Sequence, residues 1–117
     1  MKYTILVKGT PDTEAGKMPP ESLIAEMGAY HEELAKAGVL IDGSGLKPSN
    51  RGWRIKYGKG GKRTFVDGPF TESKELIAGF WLWQVRSMDE AVEWLKRAPF
   101  GGGTVIEIRR VFETEDF

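Results

Sequence analysis

The sequence predicts an α+β protein. Three observations predict this class: short apolar runs near both ends that are typical of strands, two segments with apolar residues at helical spacing, and a strongly apolar run ahead of the second of these segments. Together they give the order strand, helix, strands, strand, helix, strand, which is that of a ferredoxin-like fold. Because 117 residues is the length of one domain, we expect a single domain over residues 1–117.

The first half of the chain reads as strand, helix, strand. Residues 3–8 form a short apolar run, and Pro19 and Pro20 then open a helix, since proline suits a first helical turn. The apolar positions of this helix recur at spacings of three and four residues: Leu23, Met27, Tyr30, Leu34 and Ala37. Gly38 ends the helix as a left-handed cap, and residues 39–41 begin the second strand.

The second half begins with a predicted hairpin. Residues 53–57 and 63–66 flank a glycine-rich turn, and we interpret this hairpin as an insertion into the basic fold. Residues 77–86 predict a strong strand. Ser87 and Glu90 form a capping box for a second helix. Pro99 ends that helix, and the last strand is expected over residues 104–112.

The strand at residues 77–86 is apolar on both faces. One face holds Trp81 and Trp83. The other holds Phe80 and Leu82. Two helices cover only one face of a four-stranded sheet, so a large apolar surface needs another cover. A second copy is the simplest one, and face-to-face pairing of two such sheets predicts a homodimeric α+β barrel.

The inserted hairpin offers an alternative cover for that sheet face. One face of the hairpin carries Trp53, Ile55 and Tyr57. In this alternative, the hairpin folds over the sheet within a single protomer.

Residues 67–81 contain the run Asp-Gly-Pro-Phe followed by a charged loop and the apolar strand. This stretch resembles the signature of the DGPF proteins within the YCII-related family. The likeness extends from Tyr3 through residues 38–40 to residues 111–117. It implies the dimeric barrel assembly and acid–base chemistry by a histidine on the first helix with an aspartate. Counting back from Gly38 places that histidine nearer Met27, one turn before the histidine present here.

Composition excludes several classes of function. The chain has no cysteine, so it has no disulfide and no thiolate nucleophile or metal ligand. Its 17 basic and 17 acidic residues balance, which argues against a general nucleic-acid binder. No apolar run approaches the roughly 18 residues of a membrane span, and no secretory signal is evident. We expect a cytoplasmic protein with no metal and no cofactor.

His31 is the only histidine and therefore the candidate acid or base. Its position beside the apolar stripe of the first helix also fits a boundary histidine bonded to the backbone or to a neighbouring glutamate. Asp67 and Asp42 compete as its carboxylate partner, because each follows a predicted strand. Either aspartate also fits a purely structural turn or loop cap, and the sequence leaves these alternatives open.

The segment between Asp42 and Asp67 contains basic residues and no acidic ones. Arg54 and Arg63 are the candidate ligand-binding cations, since a guanidinium matches a carboxylate or phosphate. The same run also fits a solvated hairpin face. Trp81 and Trp83 share a strand face and are either core residues or the aromatic wall of a ligand cavity.

Two functions remain at this point. The first is a small-molecule-binding protein, with His31 and Asp67 serving a cofactor-free lyase or isomerase step on an anionic or cyclic metabolite. The second is a non-enzymatic regulatory accessory associated with an alternative sigma factor, which the resemblance to DGPF proteins suggests. In that case the basic hairpin is a docking surface.

Overall fold

The computed structural model describes residues 1–71 and 74–117 as a mixed α+β structure with antiparallel sheets. Its helices are α1 (Pro11–Glu14), α2 (Glu21–Lys36) and α3 (Met88–Lys96). Its strands are β1 (Lys2–Lys8), β2 (Leu40–Gly45), β3 (Trp53–Tyr57), β4 (Arg63–Asp67), β5 (Ile77–Gln84) and β6 (Ile106–Arg110).

Four strands form the main sheet in the order β2-β5-β1-β6, with every neighbouring pair antiparallel. Residue Ile5 of β1 lies opposite Trp81 of β5, and Tyr3 lies opposite Trp83. The strands β3 and β4 form a separate two-stranded sheet, which is the predicted hairpin. Within the described residues, no helix has the length and apolar character that crossing a bilayer requires.

The helices α2 and α3 cover one face of the main sheet. Tyr30 and Leu34, one turn apart on α2, are buried against the Trp81 and Trp83 face of β5. The end of α2 and the start of α3 both follow local signals in the sequence. Gly38 has a φ of +72° after the end of α2, and the Ser87 side chain accepts a 3.1 Å hydrogen bond from the backbone N–H of Glu90.

The opposite side of the sheet, which we call the open face, carries Leu6, Phe80 and Leu82, all partly exposed. The sequence left undecided which face of β5 the helices cover, and the structure buries the tryptophan face. The protein measures only 19 Å along its shortest axis, which matches one layer of helices on one sheet.

The β3–β4 hairpin does not cover the open face, contrary to the alternative drawn from the sequence. The side chains on its apolar face remain exposed: 63% for Trp53, 45% for Ile55 and 73% for Tyr57. The radius of gyration is 16.4 Å, compared with about 13 Å for a compact domain of this length, as expected when a hairpin projects from the body.

Other differences from the predicted elements are local. The short helix α1 was not predicted; it forms because the Thr10 side chain accepts a hydrogen bond from the backbone N–H of Thr13, and Pro11 occupies its first turn. The last strand is shorter than expected because its ladder with β1 runs only from Ile106 to Arg110.

Candidate functional site

A cavity of about 210 Å³ lies between α2 and the strands β2 and β5. Met27 and His31 line it from α2, and Phe100 lines it from the segment after α3. The remaining lining residues come from strands: Val7, Ser44, Gly45, Ala78, Gly79, Phe80 and Trp81. Most of these groups are apolar, and His31 supplies a polar side chain. This combination is typical of a site for a small organic molecule.

Glycines on paired strands create the space. Gly45 lies opposite Gly79, and Gly43 lies opposite Trp81, so these residues share one face of the sheet. Without side chains at Gly45 and Gly79, the floor beneath the helix residue His31 stays empty. At Gly79 an added Cβ would come within 3.1 Å of the Ser44 carbonyl oxygen, so that position also allows a close strand approach.

His31 is partly buried and has a definite partner. Its Nε2 accepts a 2.9 Å hydrogen bond from the indole Nε1–H of Trp81. The two rings are perpendicular, at 88°, with centroids 5.6 Å apart. The sequence offered the backbone or a neighbouring glutamate as partners, and this bond to a residue 50 positions away is neither. Met27, one turn earlier on α2, faces the same cavity.

Trp81 lies at the centre of an aromatic cluster. Its ring centroid is 5.3 Å from that of Trp83, 5.7 Å from Tyr30 and 5.8 Å from Phe100. Burial raises the pKa of Tyr30 to about 12, and its hydroxyl donates to the backbone carbonyl of Trp94. Tyr30 is therefore a neutral structural group at ordinary pH. Trp83 is fully buried, and among the described residues its Nε1–H has no hydrogen-bond acceptor.

Both candidate aspartates lie away from His31. Asp67 is the last residue of β4, paired with Trp53 on the hairpin, and its side chain is exposed. Asp42 is exposed on β2 and accepts a 2.8 Å hydrogen bond from the backbone N–H of Gly43. As far as the described residues define the cavity, neither aspartate lines it.

The candidate cations also lie outside the cavity. Arg54 sits over the ring of Phe70, with its guanidinium carbon 4.0 Å from the ring centroid. It lines a separate cleft of about 490 Å³. Arg63, exposed on β4, donates a 3.2 Å hydrogen bond to the Gly61 carbonyl and lies over the ring of Tyr57.

The Asp-Gly-Pro-Phe stretch forms a structural junction that ties the hairpin to the rest of the chain. The backbone N–H of Gly68 donates to the Gly52 carbonyl at 3.0 Å, and a Cβ added at Gly68 would come within 1.8 Å of the Ser49 carbonyl oxygen. The Ser49 hydroxyl accepts from the Phe70 N–H at 3.0 Å and donates to Glu14 at 2.7 Å. Glu72 and Ser73, which follow in the same stretch, lie outside the described residues.

The fold and the cavity define an α+β protein with a site the size of a small ring compound. The YCII-related domain matches residues 1–115, so the chain belongs to the YCII-related family. An uncharacterized protein of Rhizobium meliloti (strain 1021) is 29% identical over 80 residues, which are 68% of this chain and 64% of that protein. The match thus spans less than two thirds of that relative's length.

Among solved structures, the chain is similar to 5-chloro-2-hydroxyhydroquinone dehydrochlorinase (TftG) from Burkholderia phenoliruptrix AC1100, in complex with 2,5-dihydroxybenzoquinone. The TM-score is 0.50, the identity is 20%, and the similarity covers 98% of each chain. At this identity the comparison shows a shared fold and no more.

Of the candidate catalytic and ligand-binding residues named from the sequence, the structure brings only His31 and Trp81 together at this cavity. Sequence reasoning missed Gly43, Gly45 and Gly79. A signal for the first two was present, because glycines two residues apart on a strand leave the same face without side chains.

Proposed function

We propose that the protein binds a small single-ring molecule in the His31 cavity and that His31 exchanges a proton with it in a cofactor-free lyase or isomerase step. One observation supports this above all others: the only histidine of the chain lines an otherwise mainly apolar cavity of about 210 Å³. An apolar cavity of about 150 Å³ is enough to hold benzene, so a substituted six-membered ring fits the volume.

The surrounding side chains favour a ring as ligand. Trp81 and Phe100 supply aromatic walls. The structural neighbour TftG was solved with 2,5-dihydroxybenzoquinone bound. Hydroxylated quinones and hydroquinones are therefore the first compounds to try, followed by carboxylated and phosphorylated rings.

Thermal stabilisation across such a panel tests the proposal. A ligand present at about 100 times its Kd stabilises the native state by about 2.7 kcal/mol, which shifts Tm by several degrees in a domain of this size. We expect a shift with at least one ring compound that is lost in His31→Ala. The shift is retained in Glu32→Ala, which alters the next, exposed residue of α2.

The proposal fails if His31→Ala binds the same compound with unchanged affinity. It also fails if no ring compound shifts Tm.

The roles predicted for Asp67, Asp42, Arg54 and Arg63 stay predictions, as do the cytoplasmic location, the single domain and the absence of a cofactor or metal. Since none of these four side chains lines the cavity of one protomer, we propose that His31 acts without a carboxylate partner from its own chain.

The assembly that we propose is the homodimeric barrel of ferredoxin-like sheets, with this chain in the DGPF group of its family. The observed strand order β2-β5-β1-β6 and the apolar open face support it. Light scattering on the purified protein tests it directly. A dimer has twice the 13.1 kDa mass of one chain, and a monomer at micromolar concentration contradicts the proposal.

The regulatory accessory is the second candidate, and two observations favour it. Asp67 lies on the hairpin rather than beside His31, and the hairpin exposes the aromatic side chains Trp53 and Tyr57. Exposed apolar side chains next to basic ones suit a protein-docking surface. Capture of a sigma factor by the wild type, lost in Tyr57→Ser and kept in His31→Ala, supports this candidate over the first.

A further inference from the structure

The hydrogen bond between Trp81 and His31 determines which ring nitrogen of His31 carries the proton. A tryptophan indole nitrogen donates and never accepts. Because Trp81 Nε1–H donates to His31 Nε2 at 2.9 Å, that nitrogen must carry no proton. The neutral imidazole then has its proton on Nδ1, since the bond at one nitrogen selects the tautomer.

Packing holds the donor in place. Trp81 is only 5% exposed, and rings on several sides of it restrict its rotation. Trp83 is stacked on it at an interplanar angle of 26°, while Tyr30 and Phe100 contact it at tilted angles. The indole therefore presents its N–H to His31 in a fixed direction, and His31 lies at right angles to it.

Gly43 provides the space that this indole occupies. Gly43 lies opposite Trp81 in the β2–β5 ladder. A Cβ added to Gly43 would stand 2.2 Å from Trp81 Cδ1 and 3.0 Å from Trp81 Nε1, which is closer than real contacts allow. Since Gly43 does not have a positive φ, the position requires glycine for space rather than for backbone conformation.

We propose that Trp81 is a positioning residue that fixes His31 as the Nδ1–H tautomer, and that Gly43 makes this arrangement possible. The consequence for ligands rests on the proposed function of the cavity. The ligand-free site offers the Nδ1–H group as a hydrogen-bond donor, so it selects ring compounds with an acceptor oxygen such as a carbonyl, phenolate or carboxylate. Use of Nε2 as a base requires that the ligand first displace the Trp81 indole.

The tautomer can be measured directly because the chain has a single histidine. Long-range proton–nitrogen correlation spectra of the ligand-free, ¹⁵N-labelled protein, recorded at about pH 8.5 where an ordinary imidazole is neutral, distinguish the two forms. We expect the Nδ1–H form to predominate in the wild type. Trp81→Phe keeps an aromatic ring and removes the donor, so the ratio of Nδ1–H to Nε2–H falls by about 2- to 10-fold.

Gly43→Ala and Gly45→Ala form a matched pair on the same strand and the same sheet face. We expect Gly43→Ala to lower the ratio in the same direction as Trp81→Phe, because the indole has to move. Gly45→Ala leaves the ratio unchanged, since its Cβ meets no atom within 4 Å. Circular dichroism confirms that each variant is folded before its tautomer is read.

Two results would overturn the inference: a wild type with its proton mainly on Nε2, or an unchanged ratio in folded Trp81→Phe. Both results can be obtained even if Gly43→Ala does not fold, because they come from the wild type and Trp81→Phe. These measurements use no ligand, so they are independent of the proposed function. If every ring compound fails to bind, the proposed function falls and the tautomer result stands.

Discussion

Around the His31 cavity the aromatic side chains are packed together, whereas on the β3–β4 hairpin they face solvent. Trp81 is 5% exposed at the centre of four neighbouring rings, and Trp53 is 63% exposed. In the first region the cavity lies where Gly45 and Gly79, opposite each other on paired strands, lack side chains. Aromatic residues therefore serve two purposes in this protein. The buried cluster borders the cavity proposed to bind a small molecule, and the exposed aromatic side chains of the hairpin are free to contact a macromolecule.

The largest expected effect is on the free energy of unfolding, when one tryptophan from each region is changed to alanine. Trp83→Ala removes a fully buried side chain, so we expect the free energy of unfolding to fall by about 3–5 kcal/mol. Trp53→Ala removes an exposed one, so we expect a change within about 0.5 kcal/mol. Urea unfolding of both variants measures the contrast. A large loss in Trp53→Ala would mean that the hairpin is packed in solution and is not an exposed element.

The second prediction concerns the junction between the two regions. Gly68→Ala places a Cβ within 1.8 Å of the Ser49 carbonyl oxygen, a backbone atom that cannot move aside alone. We expect a loss of about 1–3 kcal/mol in the free energy of unfolding, in the range of overpacked sites. Gly101→Ala is the control, because its Cβ meets nothing within 4 Å. Equal unfolding midpoints in urea for the two variants would show that the hairpin is not tied at Gly68.

Elements with local signals were predicted from the sequence alone. The end of α2 follows from Gly38 and the start of α3 from Ser87, since caps depend on a few adjacent residues. The hairpin strands were predicted to within a residue because a glycine-rich turn separates them. Helix α1 was missed, as four residues are too few for an apolar period to emerge.

The candidate site was predictable only in part, because it depends on pairing between distant segments. His31 was singled out as the sole histidine, but its partner Trp81 lies 50 residues away on another element. The space beneath it depends on Gly45 facing Gly79, a register that spacing along one strand does not reveal. Both faces of β5 are apolar, so only the packing of α2 and α3 decides which one is buried.

The smallest expected effect is a change in the pH dependence of stability, confined to alkaline pH. The variants to compare change one tyrosine from each region. Burial raises the pKa of Tyr30 to about 12 in the folded protein, compared with about 10 for an ordinary phenol. Below pH 10 the phenol is protonated in both states, so its contribution to stability is fully present. Between about pH 10 and 12 the unfolded state loses the proton first, and stability therefore falls as pH rises.

We expect Tm of the wild type to decline over that interval and the decline to be shallower in Tyr30→Phe, which has no proton to lose at this position. Tyr57→Phe is the control and should keep the wild-type slope, because it removes a phenol that is 73% exposed on the hairpin rather than a buried one. Thermal melts at several pH values between about 9 and 12 measure the slope of Tm against pH for each protein. Parallel slopes for Tyr30→Phe and the wild type would show that burial in the aromatic cluster does not favour the neutral phenol. The packed region and the exposed hairpin would then differ in side-chain packing but not in how strongly they favour a neutral phenol.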